Sequence, residues 1–190
     1  MRFRRWNWAI LLASLAMGGS LHAQSGLSPQ VEAQLLLRVL AYDRSLDQRP
    51  GDNVVVAILY DATNGTSNRA RAGIVRAFRA TPIQMIGSKN LKFLEVNVAD
   101  ANLVGTLRQE SVVAAYITDG LENRLPALLD AAQSAHVTTL SGNMRYAWRG
   151  VAAAVDTVAG RPQIYVNLSS ARASGADFPA TLLKLATVIK

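Results

Sequence analysis

The sequence predicts an α/β fold: a single-domain, three-layer, Rossmann-like mixed sheet, with parallel strands followed by a C-terminal antiparallel hairpin and a closing helix. Three observations carry this. Strand-like runs alternate with helix-like periodicity from Asn53 to Leu140, the grammar of successive strand–loop–helix units with right-handed crossovers. Two of those runs, Asn53 to Tyr60 and Val112 to Ile117, are almost continuously apolar, as strands covered on both faces are. Two later runs, Val151 to Val158 and Gln163 to Leu168, are joined only by Ala159-Gly160-Arg161-Pro162. That link permits a hairpin and forbids a crossover.

Taken in order, Ser28-Pro29 opens a helix to about Tyr42, with Val31, Leu35, Leu36, Val39 and Leu40 on one face; proline suits a first helical position. Asp47 to Asp52 is a turn rich in Pro and Gly, and the first strand follows it. The polar loop Asp61 to Ser67 leads into a helix with Ile74, Val75 and Phe78 inward, ending before Pro82. Leu91 to Val98 is the second strand, and Asp100 is placed to cap a helix reaching about Gln109. After the third strand come Thr118-Asp119-Gly120, a helix over Glu122 to Ser134 with Leu125, Leu128 and Leu129 inward, and a fourth strand over Val137 to Leu140. Within the hairpin's second strand, Ile164, Val166 and Leu168 alternate onto one face. Ser169 to Ser174 is a short helical turn stopped by Gly175. From Phe178 the apolar residues Phe178, Leu182, Leu185, Ala186 and Ile189 recur at helical spacing, which predicts the closing helix.

Residues 1–23 have the layout of a secretory signal peptide: Arg2, Arg4 and Arg5, then apolar Ala9 to Met17, then small residues to Ala23. The apolar run is far shorter than the ~20 residues a membrane span needs. Cleavage there leaves residues 24–190 as one α/β domain, long enough for a good core. It also removes three arginines and takes the formal charge from +7 to +4. The remaining arginines are scattered rather than striped with aromatics, which argues against a nucleic-acid partner. The chain has no cysteine, so neither disulfide nor thiol chemistry is open to it.

Ligands of open α/β sheets sit beyond the carboxyl ends of the strands. Three loops fall there: Asn64, Gly65, Thr66 and Ser67 after the first strand, Thr118 and Asp119 after the third, and Ser141 and Gly142 after the fourth. The same residue types serve as ordinary caps and turns. The first loop has neither the Gly-Lys-Ser/Thr of a phosphate loop nor the Gly-x-Gly-x-x-Gly of a dinucleotide site. Asp61 and Asp119 are candidates to face each other across the sheet edge. Beyond the signal segment His136 is the one histidine, and there is no Gly-x-Ser-x-Gly elbow. No catalytic residue, metal ligand or cofactor is therefore expected. Asn167 is read as the cap of the short helix beginning at Ser169 or as satisfying a strand edge. Arg145, Tyr146, Trp148 and Arg149 combine two aromatics with two arginines, the types that dominate interface hot spots, and are the candidate partner-binding set.

The closing stretch also carries a resemblance. Ile164-Tyr165-Val166-Asn167-Leu168, an Ala-rich turn, Gly175-Ala176-Asp177-Phe178 and Leu182-Leu183-Lys184-Leu185-Ala186 in that order resemble the YfiR-like (YfiR/HmsC) family of bacterial periplasmic proteins. Asn167 matches an Asn of the family motif, and Gly150 matches a Gly leading into the hairpin. The chain departs from the family in lacking the cysteines of some members. It also has Tyr42-Asp43-Arg44 where many place an aromatic followed by Trp-Pro. The resemblance implies a non-catalytic periplasmic signalling regulator that represses the periplasmic part of an inner-membrane sensor, a diguanylate cyclase or a histidine kinase, and so acts in cyclic-di-GMP and biofilm control. The alternative is a periplasmic small-ligand binding module, a single lobe resembling a solute-binding protein that completes its cleft as a homodimer.

Overall fold

The computed structural model describes residues 26–99 and 102–190. The expected signal peptide and the expected cap Asp100 lie outside them. The elements are α1 (Pro29–Ala41), a 3₁₀ turn (Arg44–Gln48), β1 (Asn53–Tyr60), α2 (Gly65–Arg79), β2 (Met85–Ile86), β3 (Lys89–Asn97), α3 (Leu103–Gln109) and β4 (Val112–Ile117). Then follow α4 (Leu125–Ser134), β5 (Thr138–Ser141), α5 (Met144–Trp148), β6 (Ala153–Val158), β7 (Arg161–Asn167), α6 (Leu168–Ala173), α7 (Ala180–Leu183) and β8 (Ala186–Ile189).

The strands form one eight-stranded sheet in the order β2-β3-β1-β4-β5-β6-β7-β8. β1 lies between β3 and β4 and is parallel to both; β4, β5 and β6 continue parallel. β7 returns antiparallel to β6, as the short link requires, and turns through Ala159 and Gly160, both at positive φ.

Alternate residues of β1 feed two cores, as the two-residue period of a strand dictates. Val54, Val56 and Ile58 meet α1 and α2 residues such as Leu36, Leu40 and Phe78. Ala57 and Leu59 meet α3 and α4 residues such as Leu107 and Leu125. Phe78 stacks on Phe93 at 4.9 Å and meets Tyr116 edge-on at 5.9 Å. Burying one such ring contributes about 2–3 kcal/mol. α1 starts as the sequence says it should, with Ser28 accepting the Val31 N–H and Pro29 in the first turn; α3 starts at Leu103, and its cap is Asn102, a residue the sequence pattern had not singled out.

Three expectations change. The closing helix is one turn only, α7, and the chain then enters β8 beside β7, pairing from Ile164–Ala186 to Asn167–Ile189. Phe178 and Leu182 keep their place in the core, while Leu185 is exposed. The spacing of these apolar residues is helical, but tertiary pairing overrides it. The β-branched Thr187-Val188-Ile189 favours the strand, and pairing satisfies backbone groups that β7 would otherwise leave open. Val31 is exposed on α1, and Ala33 and Leu37 are buried instead. Finally, 144–148 is a helix, α5, started by the Asn143 side chain accepting from the Arg145 N–H.

Candidate functional site

In this strand order the chain passes from β1 to one side and then crosses to β4 on the other. The crevice beyond the carboxyl ends of β1 and β4 is therefore the place where such folds bind ligands. Here the flanking loops bond to each other. Asn64 accepts from the Thr66 and Ser67 N–H groups at 2.9 and 3.1 Å, capping α2. Its amide donates across the crevice to the Gly120 carbonyl at 2.8 Å. Thr118 Oγ1 donates to the Leu59 carbonyl at 3.0 Å, which leaves the Ser67 hydroxyl to donate to Thr118 across 2.7 Å. Ser67 Oγ also accepts the Asp61 N–H. Ser67 and Thr118 are fully buried. Gly120 sits at φ +84°, and a Cβ there would stand 2.8 Å from Asn64 Oδ1, so only glycine lets the two loops close.

Asp61 and Asp119 take separate partners. Asp61 accepts from the Thr63 hydroxyl and N–H and pairs with Arg124 at 3.2 Å. The Thr63 hydrogen bonds, with Arg124 beside them, hold its carboxyl below the usual range. Asp119 accepts from the Asn143 amide at 2.8 Å. Ser141 is buried; its hydroxyl donates to the Ile117 carbonyl at 3.0 Å. A groove of about 300 Å³ lies elsewhere, between α4 and α6, lined by Leu129, Ala132, Val137 and Ser170 among others; none of the three loops reaches it.

Sequence reasoning missed a strongly perturbed carboxyl. Glu32, in the first turn of α1, lies over Gly142 so closely that a Cβ there would overlap its carboxyl. Tyr116 Oη donates to Glu32 Oε1 at 2.6 Å. Burial, together with the charges of Asp119 and Asp156, raises the Glu32 pKa from 4.5 to about 7, against the lowering effect of the Tyr116 bond. Tyr116 itself is pushed well above its ordinary value, chiefly by burial and then by Glu32.

The candidate partner-binding set divides. Tyr146 is buried and does not offer its ring to a partner. Its hydroxyl accepts the Leu121 N–H at 3.0 Å, anchoring α5 to the loop after β4. Trp148 is 61% exposed, on the opposite side of the same five-residue helix. Arg145 and Arg149 are also exposed, and Arg149 donates to the Glu122 carbonyl at 2.9 Å. Asn167 caps α6 by accepting the Ser170 N–H, and its amide donates to the Ala147 carbonyl, both at 3.0 Å. One side chain thus starts a helix and ties down α5. His136 is exposed, with φ +57°, and its carbonyl accepts from Arg49.

Fold and crevice together define a doubly wound α/β domain whose strand-end loops are closed on each other. The family model described as YfiR/HmsC-like matches residues 29–187, and the chain belongs to that family, one of periplasmic regulatory proteins. No curated protein matches the sequence. Among solved structures, the chain resembles the ABC domain in complex with L-Trp from Streptococcus pneumonia, with a TM-score of 0.56 and 13% identity over 85% of this chain and 62% of that one. It also resembles a conserved domain protein from Vibrio cholerae O1 biovar El Tor strain N16961, with a TM-score of 0.58 and 13% identity over 85% of this chain and 60% of that one. The chain thus spans about three fifths of those structures, and at such identity the likeness is one of fold. No described helix is long and apolar enough to cross a membrane.

Proposed function

We propose that this protein is a non-catalytic signalling regulator, exported to the periplasm through a cleaved signal peptide, that binds and represses the periplasmic part of an inner-membrane diguanylate cyclase. The observation that carries the reading is the family match over residues 29–187. Two features of the molecule support it. The polar groups of the strand-end crevice are spent on one another, which is the arrangement of a scaffold rather than of a reacting centre. Trp148 projects from a short helix tied at both Tyr146 and Ala147, a pre-ordered aromatic of the kind that anchors interfaces.

The test is cross-linking in the native envelope from a photoreactive residue at position 148, with identification of the captured protein. Capture of a membrane cyclase, together with a rise in cyclic-di-GMP when Trp148→Ala replaces the native chain, is the expected result. Capture of a histidine kinase would transfer the regulator to another sensor class. Turnover of a substrate by the purified protein would overturn the reading.

A further inference from the structure

The titratable groups around Gly142 are arranged in a way the partner-binding reading does not use. Glu32 reaches this spot from α1. Tyr116 faces it from β4, Asp119 from the loop after β4, and Asp156 from β6; the backbone of Gly142 forms the floor. The two acids that repel Glu32 also seat the start of α5. Asp119 accepts from the amide of Asn143, the α5 cap. Asp156 Oδ2 accepts the Met144 N–H at 3.2 Å, while its other oxygen accepts the Thr157 N–H at 2.7 Å.

We propose that Glu32 is a proton-operated latch on α5: neutral, it lets Asp119 and Asp156 hold the first turn of that helix, and ionised, it places a third negative charge against them and loosens the turn that positions Trp148. The carboxyl lies against Gly142 at lower cost with its proton than without it. Once charged it has the Tyr116 hydroxyl as its hydrogen-bond partner and two like charges nearby, and buried charges left so poorly paired are costly. The ionisation falls at about pH 7, within the range that a compartment open to the surroundings passes through. What the latch would regulate rests on the reading of α5 as the partner-binding helix; the motion itself does not.

The test therefore uses no partner. Tryptophan occurs at positions 6, 8 and 148, so the full chain carrying Trp6→Phe and Trp8→Phe reports on α5 through Trp148 alone. Its emission is followed from pH 5 to pH 9. The expected result is one transition centred near pH 7, abolished in Glu32→Gln and moved to higher pH in Tyr116→Phe, because the tyrosine hydrogen bond favours the carboxylate. His136→Gln should leave it in place. A flat emission, a transition that persists in Glu32→Gln, or one that vanishes in His136→Gln would each overturn the latch. A transition of the expected kind alongside failed cyclase capture would leave the latch standing and sink the function proposed above.

Discussion

Glu32→Gln tests the electrostatics of the site through stability. An acid that titrates at 4.5 when unfolded and near 7 when folded binds its proton more tightly in the native state. Between those two pH values the folded chain holds more protons than the unfolded one, so stability falls as pH rises. The contribution is fully present below the unfolded pKa, is lost as pH climbs through about 7, and does not change above it. At 1.36 kcal/mol per pKa unit the total is about 3 kcal/mol. Glutamine keeps an acceptor for the Tyr116 hydroxyl and has nothing to ionise. The variant should therefore match the parent near pH 4 and exceed it at pH 8 by about 3 kcal/mol, or roughly 6–12 °C in Tm for a domain of this size. Urea titrations of both proteins at half-unit pH steps measure the difference directly. Parallel pH–stability curves would refute the argument, because they would mean the Glu32 carboxyl is as well solvated in the fold as in the open chain.

Other substitutions probe the remaining joints. Gly120→Ala must accept φ +84° and a Cβ 2.8 Å from Asn64. It should cost about 1–3 kcal/mol, and more than Gly160→Ala, whose Cβ would meet open space; thermal unfolding of the pair gives the comparison. Asn167→Ala removes a helix cap and leaves the Ala147 carbonyl without its donor, an expected loss of about 2–4 kcal/mol by denaturant titration. Trp148→Ala, at an exposed position, should alter stability by no more than about 0.5 kcal/mol while weakening partner capture roughly 30-fold or more. A collapse in Tm would instead make Trp148 a structural residue.

The architecture was legible because its signals are local. The unbroken apolar runs at Val54–Leu59 and Val112–Ile117 became the buried central strands β1 and β4. The four-residue link before Gln163 became a hairpin, and Asn167 became a cap. The misreadings arose where a local pattern has two solutions. Phe178 and Leu182 point inward at helical spacing, yet the residues after them gain more by pairing with β7 than by continuing a helix at the rim. Tyr146 and Trp148 are two residues apart and chemically alike, but a five-residue helix sends them to opposite sides. Glu32 was hidden for a different reason. An acid in the first turn of a helix is an ordinary sight, and its partner Tyr116 lies 84 residues away. Only the assembled sheet brings the helix start, Gly142 and Asp156 together.

The central position of β1 carries a consequence for how the chain acquires its shape. The first strand to be made has no neighbour until β3 arrives on one side and β4 on the other, 37 and 57 to 58 residues later by register. Both pairings close long loops before they return any burial, the circumstance that slows folding. The hairpin β6–β7 has no such delay. Hairpin β2–β3 towards the other end is equally local, so both sides of the sheet should stand ready as templates while the middle is still being threaded.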